Sequence, residues 1–317
     1  MRVIFMGTPE FAVASLEVLH DRKDDVVLVV SQQDKPKGRG KKLVPTPVKQ
    51  KALEYGYEVY QPEKVKDAES IALLKSLEPD VIVVTAYGQI LSQELLNIPK
   101  YGCINVHASL LPKYRGAAPI QFALLHGEQK TGITTMMMDV GLDTGDMLVK
   151  EEVELTEDDT LSTLSKKLMD AGQIALHKTL EQLEQYGREI PREKQNDEDS
   201  CYASMLTREM GYIDWSKTAR EIKNQIRAVE GWPSAVTFYR REKVKLFQVE
   251  ITPEESKEIV PGTITEVTKK YLKVATGDVF VKIFEVQFPN KKRMEVSAYL
   301  LGNTIEEGEI FTVSPNK

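Results

Sequence analysis

Asn105 and His107 stand two positions apart in CINVHASLLP, and Asp143 stands between Gly141 and Gly145 in the separate run GITTMMMDVGLDTGDML. An amide, an imidazole and a carboxylate converging on one crevice suit acyl-type transfer. Asn105 donates to a developing oxyanion, His107 polarises or protonates it, and Asp143 orients His107 and takes up a proton. The glycines beside Asp143 allow backbone to approach a ligand closely. A plainer reading of His107 is a hydrogen-bonded core histidine. Ser109 follows His107 by two residues, so a serine–histidine pair is possible if the strand persists that far. No G-x-S-x-G elbow surrounds the serine, however, and Pro112 points to a turn already begun. His20, His126 and His177 lie at helix ends or within a helix and read as capping or surface residues. Neither they nor Cys103 and Cys201 have zinc-ligand spacing. The first strand leads into MGTPEF, which lacks the glycines of a dinucleotide fingerprint and disfavours a nicotinamide oxidoreductase.

Elements must hold these residues. Short apolar strands, RVIFMG, DVVLVVS, YEVY, DVIVVTAYG, CINVHAS and GITTMMMD, alternate with helix-like segments. Strands apolar on both faces and separated by helices indicate a Rossmann-like, mostly parallel sheet covered on both sides. Its ligand site is expected outside the carboxyl ends of the strands, where Asn105, His107 and Asp143 would fall. DMLVKEEVEL reads as an added edge strand. A long helix then starts at Thr160, carries the stripe Leu161, Leu164, Leu168, Ala171, Ala175 and Leu176, and stops at Gly187. The polar stretch EIPREKQNDEDS reads as a linker. One helix and closely spaced segments such as AVTFYR, VKLFQVEI and VFVKIFEVQF follow, which predicts a small β-barrel or sandwich. The expected division is a catalytic domain over 1–189, a linker over 190–206 and a β domain over 207–317.

At 317 residues the chain has room for two cores. Its 41% hydrophobic and 28% charged content is that of an ordinary soluble protein, and no run approaches the roughly 18 apolar residues that span a bilayer. The start, MRVIFMGTPEF, is a strand pattern too short for a signal peptide. A cytoplasmic protein with reduced thiols is expected. The net charge of −6 is uneven: residues 1–207 hold 24 basic and 32 acidic side chains, whereas residues 208–317 hold 18 and 16. A mildly basic tail on an acidic protein is compatible with local nucleic-acid binding without demanding it. From Ser31 a basic loop gathers Lys35, Lys37, Arg39, Lys41, Lys42 and Lys49, with Gly38 and Gly40 flanking Arg39. Such a loop suits a phosphate backbone, or equally a solvated surface.

MGTPEFAV, TAYGQIL, NVHASLLPKYRGAAP and GITTMMMDVGLDTGDML together resemble the folate-dependent formyltransferases, across nearly the whole chain. The paired motifs Asn-x-His-x-Ser-Leu-Leu-Pro and Met-Asp-x-Gly-x-Asp-x-Gly are specific for that superfamily and less so for the amine it formylates. The resemblance implies that Asn105, His107 and Asp143 are catalytic, and that Ser109, Leu110, Leu111 and Pro112 wall a folate pocket. Gln89, Ile90 and Leu91, with the backbone through Val140, Gly141 and Leu142, would hold the pterin. The implied donor is 10-formyltetrahydrofolate, without a metal. The full-length layout is similar to that of members acting on initiator methionyl-tRNA, in which a basic loop carrying the counterparts of Lys37, Arg39, Lys41 and Lys42 enters the acceptor arm. Enzymes formylating glycinamide ribonucleotide lack a counterpart of residues 208–317. That tail resembles an oligonucleotide-binding (OB-like) barrel, with Lys243, Lys245, Lys269, Lys270, Lys291, Lys292 and Arg293 available to phosphates. A monomer is expected. The alternatives are a formyltransferase acting on a sugar-nucleotide amine and a nucleic-acid-binding protein with an idle enzyme domain.

Overall fold

A computed structural model of the chain describes residues 1–37 and 42–315, with Lys37 and Lys42 described by backbone alone. There are two compact units. Met1–Pro119, Lys130–Leu155 and Ser165–Ala203 make the first, and Ile120–Gln129, Thr156–Leu164 and Ser204–Lys317 the second.

The chain begins with β1 (Arg2–Gly7), α1 (Glu10–Asp21), β2 (Asp25–Val30), β3 (Lys35–Lys37), β4 (Lys42–Val44), α2 (Pro47–Glu54), β5 (Val59–Tyr60) and α3 (Ala68–Ser76). It continues through β6 (Val81–Thr85), α4 (Gln93–Leu96), β7 (Cys103–His107), β8 (Arg115–Gly116), α5 (Pro119–Leu125), β9 (Lys130–Met137), β10 (Met147–Glu154), α6 (Leu161–Tyr186) and β11 (Tyr202–Ala203). A seven-stranded sheet ordered β10-β9-β7-β6-β1-β2-β5 centres the first unit. β1, β2, β5, β6 and β7 are parallel. β6 is buried along its whole length and β1 at all but its first residue, as strands with both faces covered must be.

GITTMMMD, expected to continue the parallel series, instead runs antiparallel to β7 as β9, and β10 pairs antiparallel with it at the edge. A parallel strand needs a crossover across the sheet face. The only helix between β7 and β9 is the seven-residue α5, whose residues from Ile120 on belong to the second unit.

Alternation along β7 then decides which side chains meet. A Cβ added to Gly172 of α6 would lie 3.7 Å from Val106, and Thr179 Oγ1 of α6 lies 2.6 Å from Thr135 Oγ1 of β9. Thus α6 covers the face bearing Val106 and Thr135. Asn105 and His107 project from the opposite face, beside their pairing partners Met136 and Thr134. Leu164, Leu168, Ala175, Leu176, Leu180 and Leu183 are fully buried at helical spacing along α6. Gly187 ends the helix at φ +55°, a left-handed geometry glycine adopts readily.

The stretch expected as a linker is tied to the first unit as far as Ala203. Met147 and Glu193 exchange backbone hydrogen bonds of 2.8 Å, and β11 pairs parallel with β8.

The second unit holds α7 (Ala219–Ala228), β12 (Ala235–Tyr239), β13 (Glu242–Leu246), β14 (Val249–Glu255), β15 (Ile264–Val267), β16 (Leu272–Ala275), β17 (Val279–Ile283), β18 (Glu285–Gln287), β19 (Met294–Glu295) and α8 (Val296–Leu300). Two antiparallel sheets form, β12-β13-β18-β19 and β14-β17-β16-β15. The chain passes from one to the other at Phe247 and at Phe284, and residues 310–312 bridge to Thr263 and Phe238. This closes the sheets into the small barrel expected, leaving little open edge. Trp215, Tyr239, Phe288 and Phe311 fill its core. No helix among the described residues is long and apolar enough to cross a membrane.

Leu176→Ala should open a void beneath α6 and lower stability by about 2–5 kcal/mol. Chemical denaturation would show this as an earlier midpoint at unchanged slope, and an unmoved midpoint would contradict the packing described.

Candidate active site

β7 ends at His107, so Asn105 and His107 project side by side before the chain turns at Ala108. Asp143 belongs to the loop between β9 and β10, whose ends are joined by a 2.9 Å bond from the Met137 N–H to the Asp146 carbonyl. Because β9 is antiparallel, this loop does not leave the carboxyl end of a parallel strand, where the sequence placed it. It folds over the sheet face and still reaches the same pair. Asn105 Nδ2 donates to Asp143 Oδ1 at 3.3 Å, and Asp143 Oδ2 lies 3.7 Å from His107 Nδ1. The Gly116 N–H donates to the same Oδ2 at 2.8 Å.

On the other side of the imidazole, His107 Nε2 is 2.9 Å from the Tyr114 carbonyl. A carbonyl only accepts, so Nε2 carries a proton and Nδ1 is the nitrogen turned toward the carboxylate. With side chains only 6% and 13% exposed, His107 and Asp143 interact with little screening from solvent. The three groups singled out from the sequence are thus brought together.

Asp143 has φ +55°, a left-handed conformation that typically costs a non-glycine residue roughly 1–3 kcal/mol. The flanking glycines serve the turn itself rather than leaving room for a ligand. A Cβ on Gly145 would lie 1.8 Å from the Met137 carbonyl oxygen, and one on Gly141 would lie 1.9 Å from Thr144 Oγ1. Asp139 Oδ1 accepts from the Gly141 N–H at 3.0 Å and from Thr144 Oγ1 at 2.7 Å, which tightens the turn.

The serine–histidine pair does not form. Ser109 Oγ donates to the Lys113 carbonyl at 2.6 Å, because strand alternation has ceased by that residue. Leu111 is buried with Met136 and Met147 as a small core cluster, whereas Leu110 and Pro112 are half-buried. Gln89 spends its amide on neighbouring backbone: Oε1 accepts from the Val65 N–H at 2.9 Å, and Nε2 donates to the Glu63 carbonyl at 3.2 Å. Leu91 lies in the buried cluster that holds Tyr87 and Leu95. Ile90, Val140 and Leu142 are instead 84%, 70% and 53% exposed. Met138 packs on the cluster that holds Tyr87 and Leu91, so the loops carrying these exposed apolar side chains are neighbours. They offer the kind of surface a flat heterocycle covers.

Of the basic loop, Arg39 and Lys41 and the side chains of Lys37 and Lys42 lie outside the described residues. Its base is the antiparallel pair β3 and β4. Asp34 anchors it by accepting from Gln61 Nε2 at 2.7 Å and pairing with Lys49 Nζ at 2.7 Å. The Gln61 hydrogen bond, and then Lys49, hold the Asp34 carboxyl below its usual range. In the barrel, Arg293 is committed to Glu285 and Glu230 and stacks over Phe247, while Lys243 and Lys291 lie over Tyr212 and Tyr299.

Tyr114 and Gly116 were not singled out from the sequence. The signal available was KYRGAAP directly after the Asn-x-His motif, since Gly116 adopts φ +109° and thereby aims its N–H at Asp143. Cys201 Sγ accepts from the Tyr114 N–H at 3.2 Å, and burial pushes the Cys103 thiol up to about 12. Both cysteines are free. Among the described residues no group of three or more His, Cys, Asp or Glu side chains is placed to hold a metal ion.

Gly145→Ala should displace the turn and with it the Asp143 carboxylate, lowering turnover by about a hundredfold for a shift near 1 Å. Steady-state assay beside a thermal melt would check this, and wild-type turnover in a folded variant would contradict it.

The formyl transferase family profile matches residues 1–180, and its C-terminal domain profile matches residues 205–304. The methionyl-tRNA formyltransferase of Clostridioides difficile (strain 630) is 52% identical over 97% of this chain and 99% of its own. That of Alkaliphilus metalliredigens (strain QYMF) is 53% identical over 97% of each. Among solved structures, the N-formyltransferase from Helicobacter canadensis in complex with folinic acid and dTDP-3-aminofucose shares the fold. Its TM-score is 0.68 at 22% identity, over 89% of this chain and 98% of that one. On these matches the chain belongs to the formyl transferase family, among its methionyl-tRNA formyltransferase members.

Proposed function

We infer that the chain transfers the formyl group of 10-formyltetrahydrofolate to the free amino group of methionine on initiator methionyl-tRNA, yielding N-formylmethionyl-tRNA for translation initiation in the cytoplasm. The observation that carries this reading is the meeting of Asn105, His107 and Asp143 in a chain about half identical, end to end, to methionyl-tRNA formyltransferases. Exposed Ile90, Val140 and Leu142 suit the apolar faces of a pterin. Lys37, Arg39, Lys41 and Lys42 supply positive charge for the tRNA phosphates.

The acceptor must be neutral to attack, and a free α-amino group has a pKa of about 7.7–8.0, so a useful fraction is neutral near neutral pH. As its lone pair bonds to the formyl carbon, the carbonyl electron pair moves onto oxygen. Asn105 Nδ2 carries two hydrogens, of which one points at Asp143 Oδ1, leaving the other for that oxygen. His107 Nδ1, when protonated, is the second donor, while the Tyr114 carbonyl fixes the ring through Nε2. The Asp143 carboxylate takes the proton released by the attacking amine. Collapse restores the carbonyl and breaks the bond to the folate nitrogen, which leaves with a proton as tetrahydrofolate. One oxyanion donor of this kind typically contributes roughly 3–4 kcal/mol.

Asn105→Ala and His107→Ala should each lose at least about a hundredfold in turnover while folding normally, and near-full activity in either would remove its assignment. Label from 10-formyltetrahydrofolate should appear on methionyl-tRNA and not on uncharged tRNA. Transfer to an amino-sugar nucleotide in place of methionyl-tRNA would overturn the choice of acceptor.

A further inference from the structure

We propose that Gln195, with Arg115 behind it, is a positioning residue that sets the Asp143 carboxylate against His107. The inference rests on the reading of Asp143 given above. Gln195 Nε2 donates to the Asp143 carbonyl at 2.8 Å and to the Gly145 carbonyl at 2.8 Å. A side-chain amide nitrogen has two hydrogens, so both are used. Its oxygen accepts from Arg115 Nε at 2.9 Å. The reverse amide orientation would set oxygen against two carbonyl oxygens and nitrogen against a guanidinium, so the partners fix the side chain one way round. The Arg115 side chain is only 12% exposed, and its Nη2 reaches Asp197 Oδ1 at 2.8 Å.

These bonds close a ring around one carboxylate. Arg115 directly precedes Gly116, whose N–H holds Asp143 Oδ2. Gln195 therefore joins the segment that grips the carboxylate to the turn that carries it. The turn needs this, because Asp143 sits at φ +55°, and a residue in that region persists only where its surroundings over-determine it. Gln195 spans the carbonyls on either side of Thr144. Without it the turn keeps the Asp139 bonds and the Gly116 N–H but loses its hold on the carbonyls of residues 143 and 145, so Oδ2 can drift from its 3.7 Å station at His107 Nδ1. Nothing in the ring requires Gln195 to touch either substrate.

A double-mutant cycle in the full-length protein tests this, with kcat and KM for 10-formyltetrahydrofolate and methionyl-tRNA measured beside thermal melts. Gln195→Met, nearly isosteric and without hydrogen-bonding atoms, should lower kcat about ten- to a hundredfold with both KM values little changed. In an Asp143→Asn background the same substitution should change kcat by less than about twofold, since no carboxylate remains to be positioned. Gln195→Glu keeps an acceptor for Arg115 but sets oxygen against both carbonyls, so it should lose at least as much, and it replaces Gln195→Met in the cycle if the latter fails to fold. Wild-type kcat in Gln195→Met beside a crippled Asp143→Asn would overturn this inference alone, as would losses that multiply in the double variant. Wild-type kcat in Asp143→Asn would remove the reading of Asp143 itself and this inference with it.

Discussion

The reaction proposed for this chain depends on one carboxylate held against an imidazole and an amide from a distant segment. A largely buried carboxylate is costly unless hydrogen-bonded, and Asp143 accepts from the Gly116 N–H at 2.8 Å and the Asn105 amide at 3.3 Å, with the His107 ring 3.7 Å away. In the proposed reaction the same grouping supplies donors to the developing charge. Donors fixed before the substrate arrives need no reorganisation when negative charge develops on the formyl oxygen. The Tyr114 carbonyl completes the arrangement by holding the far ring nitrogen, which leaves Nδ1 to face the site.

The fold serves that contact in three ways. α6 occupies one face of the sheet, so the other face of β7 is left for Asn105 and His107. The reversal of β9 sends its loop back over this face and delivers Asp143 from above the strand. Residues 190–203 return to the same neighbourhood, where β11 pairs with β8 and Gln195 meets the 143–145 turn. Asn105 and His107 of β7, Asp143 of the β9–β10 loop and Gln195 thus come together from three separated stretches of the chain, and the exposed side chains of Val140 and Leu142 lie in the same loop as Asp143.

Much of this was legible in the sequence where the signal is local. Two residues apart on a strand means one face, which makes Asn105 and His107 neighbours without further knowledge, and Gly187 marks the end of α6 because glycine adopts the left-handed stop most readily. Long-range facts were not legible. The direction of β9 is set by pairing with β7, which no periodicity in GITTMMMD records. The motif expected to wall a folate pocket does not record side-chain orientation, so Gln89, Leu91 and Leu111 turn to backbone or core while Ile90 stays outside. Gln195 was hidden in a charged stretch whose composition cannot distinguish a free linker from one fastened by backbone pairing. Arg39 and Lys41, the loop's central charges, lie outside the described residues.

The most direct test of the convergence is the single-turnover rate of formyl transfer by the Asn105→Ala/His107→Ala double variant, with both substrates saturating and folate affinity measured alongside. A rate at least about a hundredfold below wild type, with folate affinity unchanged, is expected if these groups stabilise the oxyanion. A wild-type rate at saturation, or a loss explained wholly by weaker binding, would contradict it.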